Sequence, residues 1–425
     1  MKPHPGFICL ILLILLAISG VSADPDYTCY NYDSQIFRTS VQTAVAADGQ
    51  SIAVGGPDTG TISLFLPNGS LLWSYRTPEN ITSIALSSDG HYMAAATYFG
   101  NLYYFDSEGH LLWNISGLGC NNKVALSGNG LTGLVFNSGK RDIPDSDTVF
   151  NFDRSGTILW QKSVHSIASA AMSSDGKNTV IGTKGLYGND ALLFSDTGDL
   201  LWRERTHRDW VIYDVDLSDN GNTAAAVMDH GIFILNHDGK MLANITPKSL
   251  TRSVAVSPDG RYVVAGMQYY VLCLNRTGGK IWEYTQGDYI YHLAISDDGH
   301  NVVATSMNMV YYLDEKGTCL WKYPLAAKLD SISMSRNGQV ITAGSYNDSF
   351  VILDKAGKVN VIDLKTIPGM PIPVVSPVPV RYVNSSKQVT TTDAINPKPA
   401  FISLVIPITA FSLCTLVLAK HRRRW

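Results

Sequence analysis

Short apolar segments alternate with turn residues along most of this chain, in an order that repeats. One period contains, in sequence, Ile81 to Leu86, the turn Ser88-Asp89-Gly90, His91 to Thr97, Asn101 to Phe105, and Leu111 to Ile115. The segments are rich in β-branched, aromatic or small residues, and Asp-Gly favours tight hairpins. The pattern therefore predicts four antiparallel strands joined in a meander.

Two turn markers divide the chain into similar units. The first is an Asp-Gly or Asn-Gly pair, at Asp48-Gly49, Asp89-Gly90, Asn129-Gly130, Asp175-Gly176, Asn220-Gly221, Asp259-Gly260, Asp298-Gly299 and Asn337-Gly338. The second is a glycine that opens an aliphatic strand, at Gly69, Gly109, Gly156, Gly198, Gly239, Gly278, Gly317 and Gly357. From Gly49 to Gly338 is 289 residues in seven steps, a period of about 41. Such a period, with four strands per unit, is typical of a β-propeller.

The number of units predicts the architecture. One four-stranded sheet cannot bury both of its faces, whereas eight sheets in a ring bury them against each other and leave few exposed edges. Small residues in the second strand, such as Ala94 to Ala96, suit a crowded position near the hub. We therefore predict an all-β, eight-bladed propeller of four-stranded antiparallel blades over residues 24–365. Residues 27–32 are expected to add an outer strand where the ring closes.

A tryptophan follows the second glycine marker in most units, as in Gly-His-Leu-Leu-Trp at residues 109–113. It recurs at Trp73, Trp113, Trp160, Trp202, Trp282 and Trp321, while Ala243 and Val361 replace it in two units. A packing position tolerates such exchanges better than a ring of ligand contacts would. The repeated tryptophan is therefore predicted to pack between blades.

The N-terminal end carries the signature of export. A charged start at Met1-Lys2, an apolar run from Phe7 to Ile18 and the small residues Val21-Ser22-Ala23 match a secretory signal peptide over residues 1–23. An uncleaved membrane anchor is the alternative.

The C-terminal end carries the signature of a membrane anchor. Residues 401–419 contain no charge and are predicted to form a transmembrane helix, and the basic tail at residues 420–425 would stay in the cytoplasm. Residues 366–400 are rich in Pro, Ser and Thr and are predicted to form an extended stalk. The chain is therefore predicted to be a single-pass protein of the cell membrane, with an extracellular propeller.

Charge, cysteines and sequons refine this prediction. A net charge of −3 gives no indication of a nucleic-acid partner. Cys29, Cys120, Cys273 and Cys319 lie outside the predicted signal and membrane segments, and the sequence leaves their three possible pairings open. Candidate N-glycosylation sites are Asn68, Asn80, Asn114, Asn244, Asn275, Asn347 and Asn384.

The combination of Ser-x-Asp-Gly with Asp-x-x-Gly-x-Leu-Leu-Trp resembles WD-repeat-type and pyrroloquinoline-quinone-type β-propeller repeats. The resemblance covers roughly residues 27–365, and SPDGRYVVAG at residues 257–266 follows the hairpin order of WD repeats, although the repeats lack the Trp-Asp dipeptide. The whole arrangement is similar to surface propeller proteins of archaea, notably methanogens. This resemblance implies the fold and leaves the function open, because propellers host unrelated functions.

The motifs of catalysis are missing from the sequence. It contains no His-x-His, His-Glu-x-x-His, Gly-x-Ser-x-Gly or phosphate-loop pattern, and the Asp-rich turns lack the spacing of a calcium loop. Resemblance to a quinoprotein dehydrogenase would imply a central cofactor, a calcium site and often a vicinal disulfide, but no Cys-Cys pair occurs. We therefore expect no enzymatic activity, cofactor or metal. The quinoprotein enzyme and a purely structural envelope component remain alternatives to a binding module.

Departures from the period suggest where a partner binds. Extra residues fall in three connections, at residues 137–147, 183–190 and 203–210. In a four-stranded meander these connections emerge on one face, and insertions clustered on one face often mark a binding side. The candidate contact residues are Lys140, Arg141, Asp142, Asp145, Tyr187, Asp190, Arg205, His207, Arg208, Asp209 and Trp210. Because Trp210 lies outside the repeated tryptophan position, it is a candidate contact for a protein or cell-envelope partner. The alternative is that these loops vary in length without function or add a contact between blades.

Overall fold

A computed structural model describes residues 40–137, 147–184, 189–206, 210–367 and, for the backbone only, 381–382. The described residues form eight four-stranded antiparallel sheets in chain order, which confirms the predicted eight-bladed propeller. In these ranges no helix has the length and apolar character that crossing a bilayer requires. The predicted signal peptide, outer strand at residues 27–32, membrane helix and basic tail lie outside the described residues.

The first four blades contain β1 to β16. Their strands are β1 Gln42–Val45, β2 Ile52–Gly56, β3 Thr61–Phe65 and β4 Leu71–Arg76 in blade 1; β5 Ile81–Leu86, β6 Tyr92–Thr97, β7 Leu102–Asp106 and β8 Leu111–Ile115 in blade 2; β9 Asn122–Leu126, β10 Thr132–Asn137, β11 Asp147–Asp153 and β12 Thr157–Val164 in blade 3; and β13 Ile167–Met172, β14 Asn178–Thr183, β15 Asp190–Ser195 and β16 Leu200–Arg205 in blade 4.

The last four blades contain β17 to β32. Their strands are β17 Ile212–Leu217, β18 Thr223–Met228, β19 Gly231–Asn236 and β20 Met241–Ile245 in blade 5; β21 Thr251–Val256, β22 Tyr262–Met267, β23 Tyr270–Asn275 and β24 Lys280–Thr285 in blade 6; β25 His292–Ile295, β26 Val302–Thr305, β27 Met309–Leu313 and β28 Cys319–Pro324 in blade 7; and β29 Leu329–Met334, β30 Val340–Ser345, β31 Ser349–Asp354 and β32 Val359–Asp363 in blade 8. A 3-10 turn at Leu364–Thr366 follows, and Arg381–Tyr382 form β33.

The first strand of each blade is innermost, because it contacts the first strands of both neighbouring blades around the ring. The turns between first and second strands, and between third and fourth, lie on one side of the disc, called here the turn face. The connections between second and third strands, and between blades, lie on the opposite side, called here the loop face. The described ends of the three long connections therefore lie on the loop face.

The Ser-x-Asp-Gly turns have a local hydrogen-bonding cause. In blade 2, Ser87 Oγ donates to Asp89 Oδ1 over 2.6 Å, and the same carboxylate oxygen accepts from His91 N at 3.0 Å. Gly90 has a φ of 73°, a left-handed conformation that costs glycine little. The motif therefore reverses the chain between the two innermost strands.

The ring closes by hydrogen bonds between blade 8 and the start of blade 1, all within residues 40–367. Val41 N donates to Ser345 O at 3.0 Å, and Ser331 Oγ donates to Val41 O at 2.8 Å. On the turn face, main-chain bonds run from blade to blade, for example from Ala47 N to Ser88 O at 2.8 Å and from Arg336 N to Ala47 O at 3.0 Å. This hydrogen-bonded circle is interrupted after blade 6, where Pro258 has no N–H to donate.

The repeated tryptophans pack between blades. Trp113 is 3% exposed, stacks on Tyr104 with ring centroids 4.8 Å apart, and donates its indole N–H to Arg154 O of the next blade at 2.8 Å. Gly109 lies against the preceding tryptophan, since a Cβ there would stand 2.8 Å from the Trp73 ring. The glycine and the tryptophan of the motif therefore meet across the blade interface.

A β-bulge explains the residue before each tryptophan. In blade 2, Tyr104 pairs with Trp113 and Phe105 pairs with Leu111, so Leu112 is left out of the register and is 43% exposed. Blade 8 has no bulge between β31 and β32, and Ile352 pairs with Asn360. Asn360 therefore takes the tryptophan's place beside blade 1, whereas Val361, predicted to fill that position, is 58% exposed.

The cysteines do not all pair with one another. Cys120 is disulfide-bonded, whereas Cys273 and Cys319 are free thiols. Burial raises the pKa of the Cys273 thiol to about 12, so this group stays protonated and unreactive.

Candidate functional site

The predicted contact residues are only partly within the described chain. Asp190, Arg205 and Trp210 are described and lie at the loop face, at the ends of the connections that carry the extra residues. The remaining candidates lie outside the described residues: Lys140, Arg141, Asp142, Asp145, Tyr187, His207, Arg208 and Asp209. The proposed contact surface on blades 3 to 5 therefore stays a prediction.

Asp190 anchors two arginines of the neighbouring strand. It begins β15, is 6% exposed, and lies opposite Arg205 in the β15–β16 register. Arg203 Nη2 is 2.5 Å from Asp190 Oδ2, and Arg205 Nε is 3.4 Å from Asp190 Oδ1. A buried carboxylate needs such partners to offset its desolvation. The contact with buried Asp190 therefore orients the Arg205 side chain, which is 68% exposed, at the surface.

Trp210 makes the additional blade contact that the sequence analysis gave as the alternative to a binding role. It is partly buried against the core of blade 5, and a Cβ added at Gly231 would lie 3.1 Å from its ring. Its ring also meets that of His230 edge to face at 6.3 Å, and Thr206 Oγ1 donates to its carbonyl oxygen at 3.1 Å. Part of the aromatic surface contacts blade 5 and part faces solvent.

A second group of side chains on the same face was missed in the sequence analysis. It lies on blades 5 to 8 around the end of the central channel and combines tyrosines with cations and carboxylates. We call it the tyrosine sector, which comprises Tyr213, Arg252, Tyr269, Tyr289, Tyr291, Lys328, Asp330 and Tyr346.

Blades 5 and 6 meet in this sector through a cation–π contact. The Arg252 guanidinium lies 4.0 Å from the centroid of the Tyr213 ring, and Tyr213 Oη donates to Asp229 Oδ1 at 2.6 Å. Burial, followed by the hydrogen bond to Asp229, raises the pKa of Tyr213, so the phenol remains a neutral donor.

Blades 7 and 8 form the other half of the sector. Lys328 Nζ lies 5.1 Å from the Tyr346 ring centroid and 5.9 Å from that of Tyr291. Burial alone would raise the pKa of Asp330, but hydrogen bonding and charge from His292, with Tyr346 and Lys328, outweigh it and lower the pKa. Burial and the Asp330 charge raise the pKa of Tyr346 to about 12. Asp330 is therefore an anion beside the neutral phenol of Tyr346.

Tyrosines continue this sector outward from the channel. The ring centroids of Tyr269 and Tyr289 are 6.5 Å apart, and those of Tyr289 and Tyr291 are 6.2 Å apart. Tyr269 is 50% exposed, and Met307 in the adjoining connection of blade 7 is 49% exposed. The loop face of blades 6 and 7 thus presents aromatic and apolar surface to solvent.

Aligning the repeats at their first glycine marker would have revealed the sector. The residue eight positions before that glycine is Val41, Thr82, Asn122 and Ala168 in blades 1 to 4, and Tyr213, Arg252, Tyr291 and Asp330 in blades 5 to 8. The position lies on the innermost strand or directly before it. The signal is therefore a change in side-chain size and polarity halfway round the ring.

Arg336 crosses the channel on the turn face. It extends from blade 8, and its Nη1 lies 2.5 Å from Asp219 Oδ2 of blade 5, while its Nη2 donates to Ser174 Oγ of blade 4 at 3.3 Å. Its Nε is 3.6 Å from Asp297 Oδ1. Blades 4 and 8 are opposite in a ring of eight, so this side chain spans the axis. It forms part of the lining of a cavity of about 500 Å³.

Two carboxylates line the innermost strand of blade 5. Asp214 Oδ1 accepts from Ser169 Oγ at 2.7 Å and its Oδ2 from Val254 N at 3.1 Å, and Asp216 Oδ2 accepts from Val256 N at 2.7 Å. Burial raises the pKa of Asp216 to about 7. Six other blades have alanine at the position of Asp216, at Ala44, Ala85, Ala125, Ala171, Ala255 and Ala294.

The candidate glycosylation sites differ in accessibility. Asn68, Asn80, Asn244, Asn275 and Asn347 are exposed, whereas Asn114 on β8 is 9% exposed. Asn384 lies outside the described residues. Use of the sequons stays a prediction, and the geometry favours the five exposed asparagines over Asn114.

The architecture and this site define the class of protein: it is a β-propeller whose loop face is rich in aromatic and charged side chains. Residues 58–249 and 235–366 match the family of outer membrane protein assembly factor BamB, and the chain belongs to this family. No curated protein matches the chain in sequence.

Solved structures share the fold. The C-terminal WD40 domain of Sif2 superposes with a TM-score of 0.61 at 15% identity, covering 78% of this chain and 96% of that one. Chaetomium thermophilum Sqt1, bound to the N-terminus of ribosomal protein L10, gives a TM-score of 0.62 at 14% identity, covering 75% and 97%. The computationally designed Ika8 protein gives 0.60 at 16%, covering 77% and 97%.

The channel residues do not fit a quinone cofactor. Pyrroloquinoline quinone carries three carboxylates, whereas Asp219 and Asp297 already place carboxylates at the axis of the channel. Arg336, which extends across the axis, is already paired with both. Like charges in such a confined space repel, so these side chains would oppose the cofactor's binding.

Proposed function

We propose that this protein is a membrane-anchored binding module of the cell surface, of the kind found in archaeal surface propellers, which holds a protein or cell-envelope partner on its loop face. The observation that carries the proposal is the tyrosine sector. Tyrosine and arginine are the side chains that most often anchor protein interfaces, because they offer large, fairly rigid contact areas with a polar end. At the aligned innermost position, blades 5 to 7 have Tyr213, Arg252 and Tyr291, whereas blades 1 to 4 have Val41, Thr82, Asn122 and Ala168.

Two further observations support a binding role. The long connections of blades 3 to 5 open on the same face, and Asp190 holds the exposed Arg205 beside them. Sqt1, which has the same fold, is seen with the N-terminus of another protein bound. The loop face is therefore the first place to seek a partner.

The test is partner capture followed by paired variants. Full-length protein is cross-linked on its native membranes, the captured partner is identified by mass spectrometry, and its affinity is measured with purified protein. Tyr269→Ala with Met307→Ala, and separately Arg205→Ala, should each weaken binding about tenfold or more. Leu131→Ala with Arg261→Ala, on the turn face, is the control and should leave affinity within about twofold.

Equal affinity of the loop-face and control variants would contradict the proposed surface. Failure to capture any partner would favour the envelope component without a discrete site. Membrane anchoring has its own test: the full chain should sediment with membranes after alkaline extraction, and a chain ending at residue 400 should be released. Protease added to intact cells should cleave the propeller if it faces outward.

A further inference from the structure

In the described part of the chain, blade 3 is the sheet that carries a fifth strand at its outer edge. β33 runs parallel to β12, with Arg381 opposite Thr157 and Tyr382 opposite Ile158. Blade 3 is thus a five-stranded sheet, whereas each of the other seven sheets in the described chain has four strands. The added strand comes from beyond the propeller, in the segment that the sequence analysis assigned to the stalk.

The local geometry of β12 explains why the added pairing is short. Its β-bulge lies between the pair Phe152–Ile158 and the pair Asn151–Trp160, so Leu159 is out of register. A bulge bends an edge strand and disrupts further pairing, which is one way in which proteins limit strand addition at free edges. β33 pairs with Thr157 and Ile158, the part of β12 that precedes the bulge.

The sequence before β33 suits an edge position. Val378-Pro379-Val380 precede Arg381, and proline is tolerated in edge strands because its missing N–H can face away from the sheet. Proline also favours an extended backbone before pairing begins, which lowers the entropy lost on docking.

We propose that the outer edge of blade 3 is the docking site for the stalk of this same chain, so that the chain leaves the propeller at the rim of blade 3 rather than at the end of blade 8. If the stalk began after Ile367, residues 368–400, which number 33, would separate the propeller from the predicted membrane helix. With β33 docked, the length of chain between the propeller and the predicted membrane helix shortens to residues 383–400, which number 18. At about 3.3 Å per extended residue, the maximum reach falls from about 110 Å to about 60 Å.

This consequence for the tether rests on the proposed membrane anchor, but the docking itself does not. Strand pairing at blade 3 is measurable whether or not the chain spans a membrane. The experiment below therefore fails or succeeds independently of the proposed function.

The test is disulfide trapping in the full-length protein. Thr157→Cys with Arg381→Cys places two thiols on paired residues, and His110→Cys with Arg381→Cys is the matched control, since His110 holds the equivalent position in blade 2. After mild oxidation, peptide mapping should recover at least tenfold more of the 157–381 disulfide than of the 110–381 disulfide. Mixing differently labelled chains distinguishes links within one molecule from links between molecules.

Hydrogen exchange of the unaltered protein provides a second measurement. The amide of Ile158 should exchange at least tenfold more slowly than that of Leu111, the equivalent residue of blade 2, and truncation after residue 367 should abolish the difference. The amides of Thr157 and His110 are an internal reference, because both already donate within their own turns, to Asp153 and Asp106. Equal disulfide yields, links formed only between molecules, or equal exchange at the two blades would overturn the proposal.

Discussion

Replacing Trp113 with alanine should destabilise the propeller far more than replacing its neighbour Leu112. A buried tryptophan removes about 200 Å² of surface from water, worth about 5 kcal/mol at 25 cal/mol per Å², and the compactness of the unfolded chain reduces this figure. Trp113 also stacks on Tyr104 and donates to Arg154 O at 2.8 Å. We expect Trp113→Ala to cost about 3–5 kcal/mol in unfolding free energy.

The bulge residue makes the control. Because Leu112 is 43% exposed, Leu112→Ala should cost less than about 1 kcal/mol. Trp113→Phe should fall between the two, since it keeps an aromatic ring beside Tyr104 and loses the hydrogen bond. Thermal unfolding followed by circular dichroism should show a Tm lowered by about 5–10 °C for Trp113→Ala and by about 2 °C or less for Leu112→Ala. A Leu112→Ala loss as large as that of Trp113→Ala would refute the assignment of Trp113 to the blade interface.

Three further predictions concern single side chains. Gly109→Ala should cost about 2–4 kcal/mol, because it combines a φ of 87° with a clash against Trp73, whereas Gly117→Ala, with a φ of 82° and open space, should cost only about 1 kcal/mol in the same denaturation assay. Arg336→Ala should cost about 1–2 kcal/mol, whereas Arg261→Ala, whose side chain is 71% exposed, should leave the unfolding free energy almost unchanged; equal losses would contradict a bridging role for Arg336 across the channel. Burial raises the Asp216 pKa from 3.8 to about 7, so the stability from its bound proton is present below about pH 4 and lost as the pH rises to about 7. In urea denaturation, the unfolding free energy of Asp216→Ala should therefore rise relative to that of the unaltered protein as the pH increases over this range. A difference between the two proteins that does not change with pH would refute the assignment.

The fold followed from the sequence because its signals are local and repeated. The strands predicted for blade 2 agree with β5 to β8 to within one residue at each end. Asp-Gly turns and opening glycines act through their own backbone conformations, so the strands of each unit can be predicted from that unit alone. Because the same markers recur in eight units, each unit supports the prediction made for the others.

The candidate site was harder to predict from the sequence, because it depends on which residues of different blades come into contact. Tyr291 and Tyr346 are far apart in sequence, yet both lie near Lys328. Length variation in loops directed attention to blades 3 to 5, whereas the tyrosine sector of blades 5 to 8 has connections of ordinary length. Trp210 showed the same difficulty, since its place against Gly231 is a tertiary contact.

The sequence by itself determined the number of blades, the order of the strands and the positions of the tight turns, since these depend on side-chain periodicity and backbone preference within one unit. Only the tertiary structure decided that Leu112 is a bulge residue, that Asn360 replaces a tryptophan at the last interface, that Arg336 spans the axis, and that β33 joins blade 3. Each of these depends on register or on contacts between distant units. A single residue's shift in register changes which side chains face the neighbouring blade, and no local pattern encodes that shift.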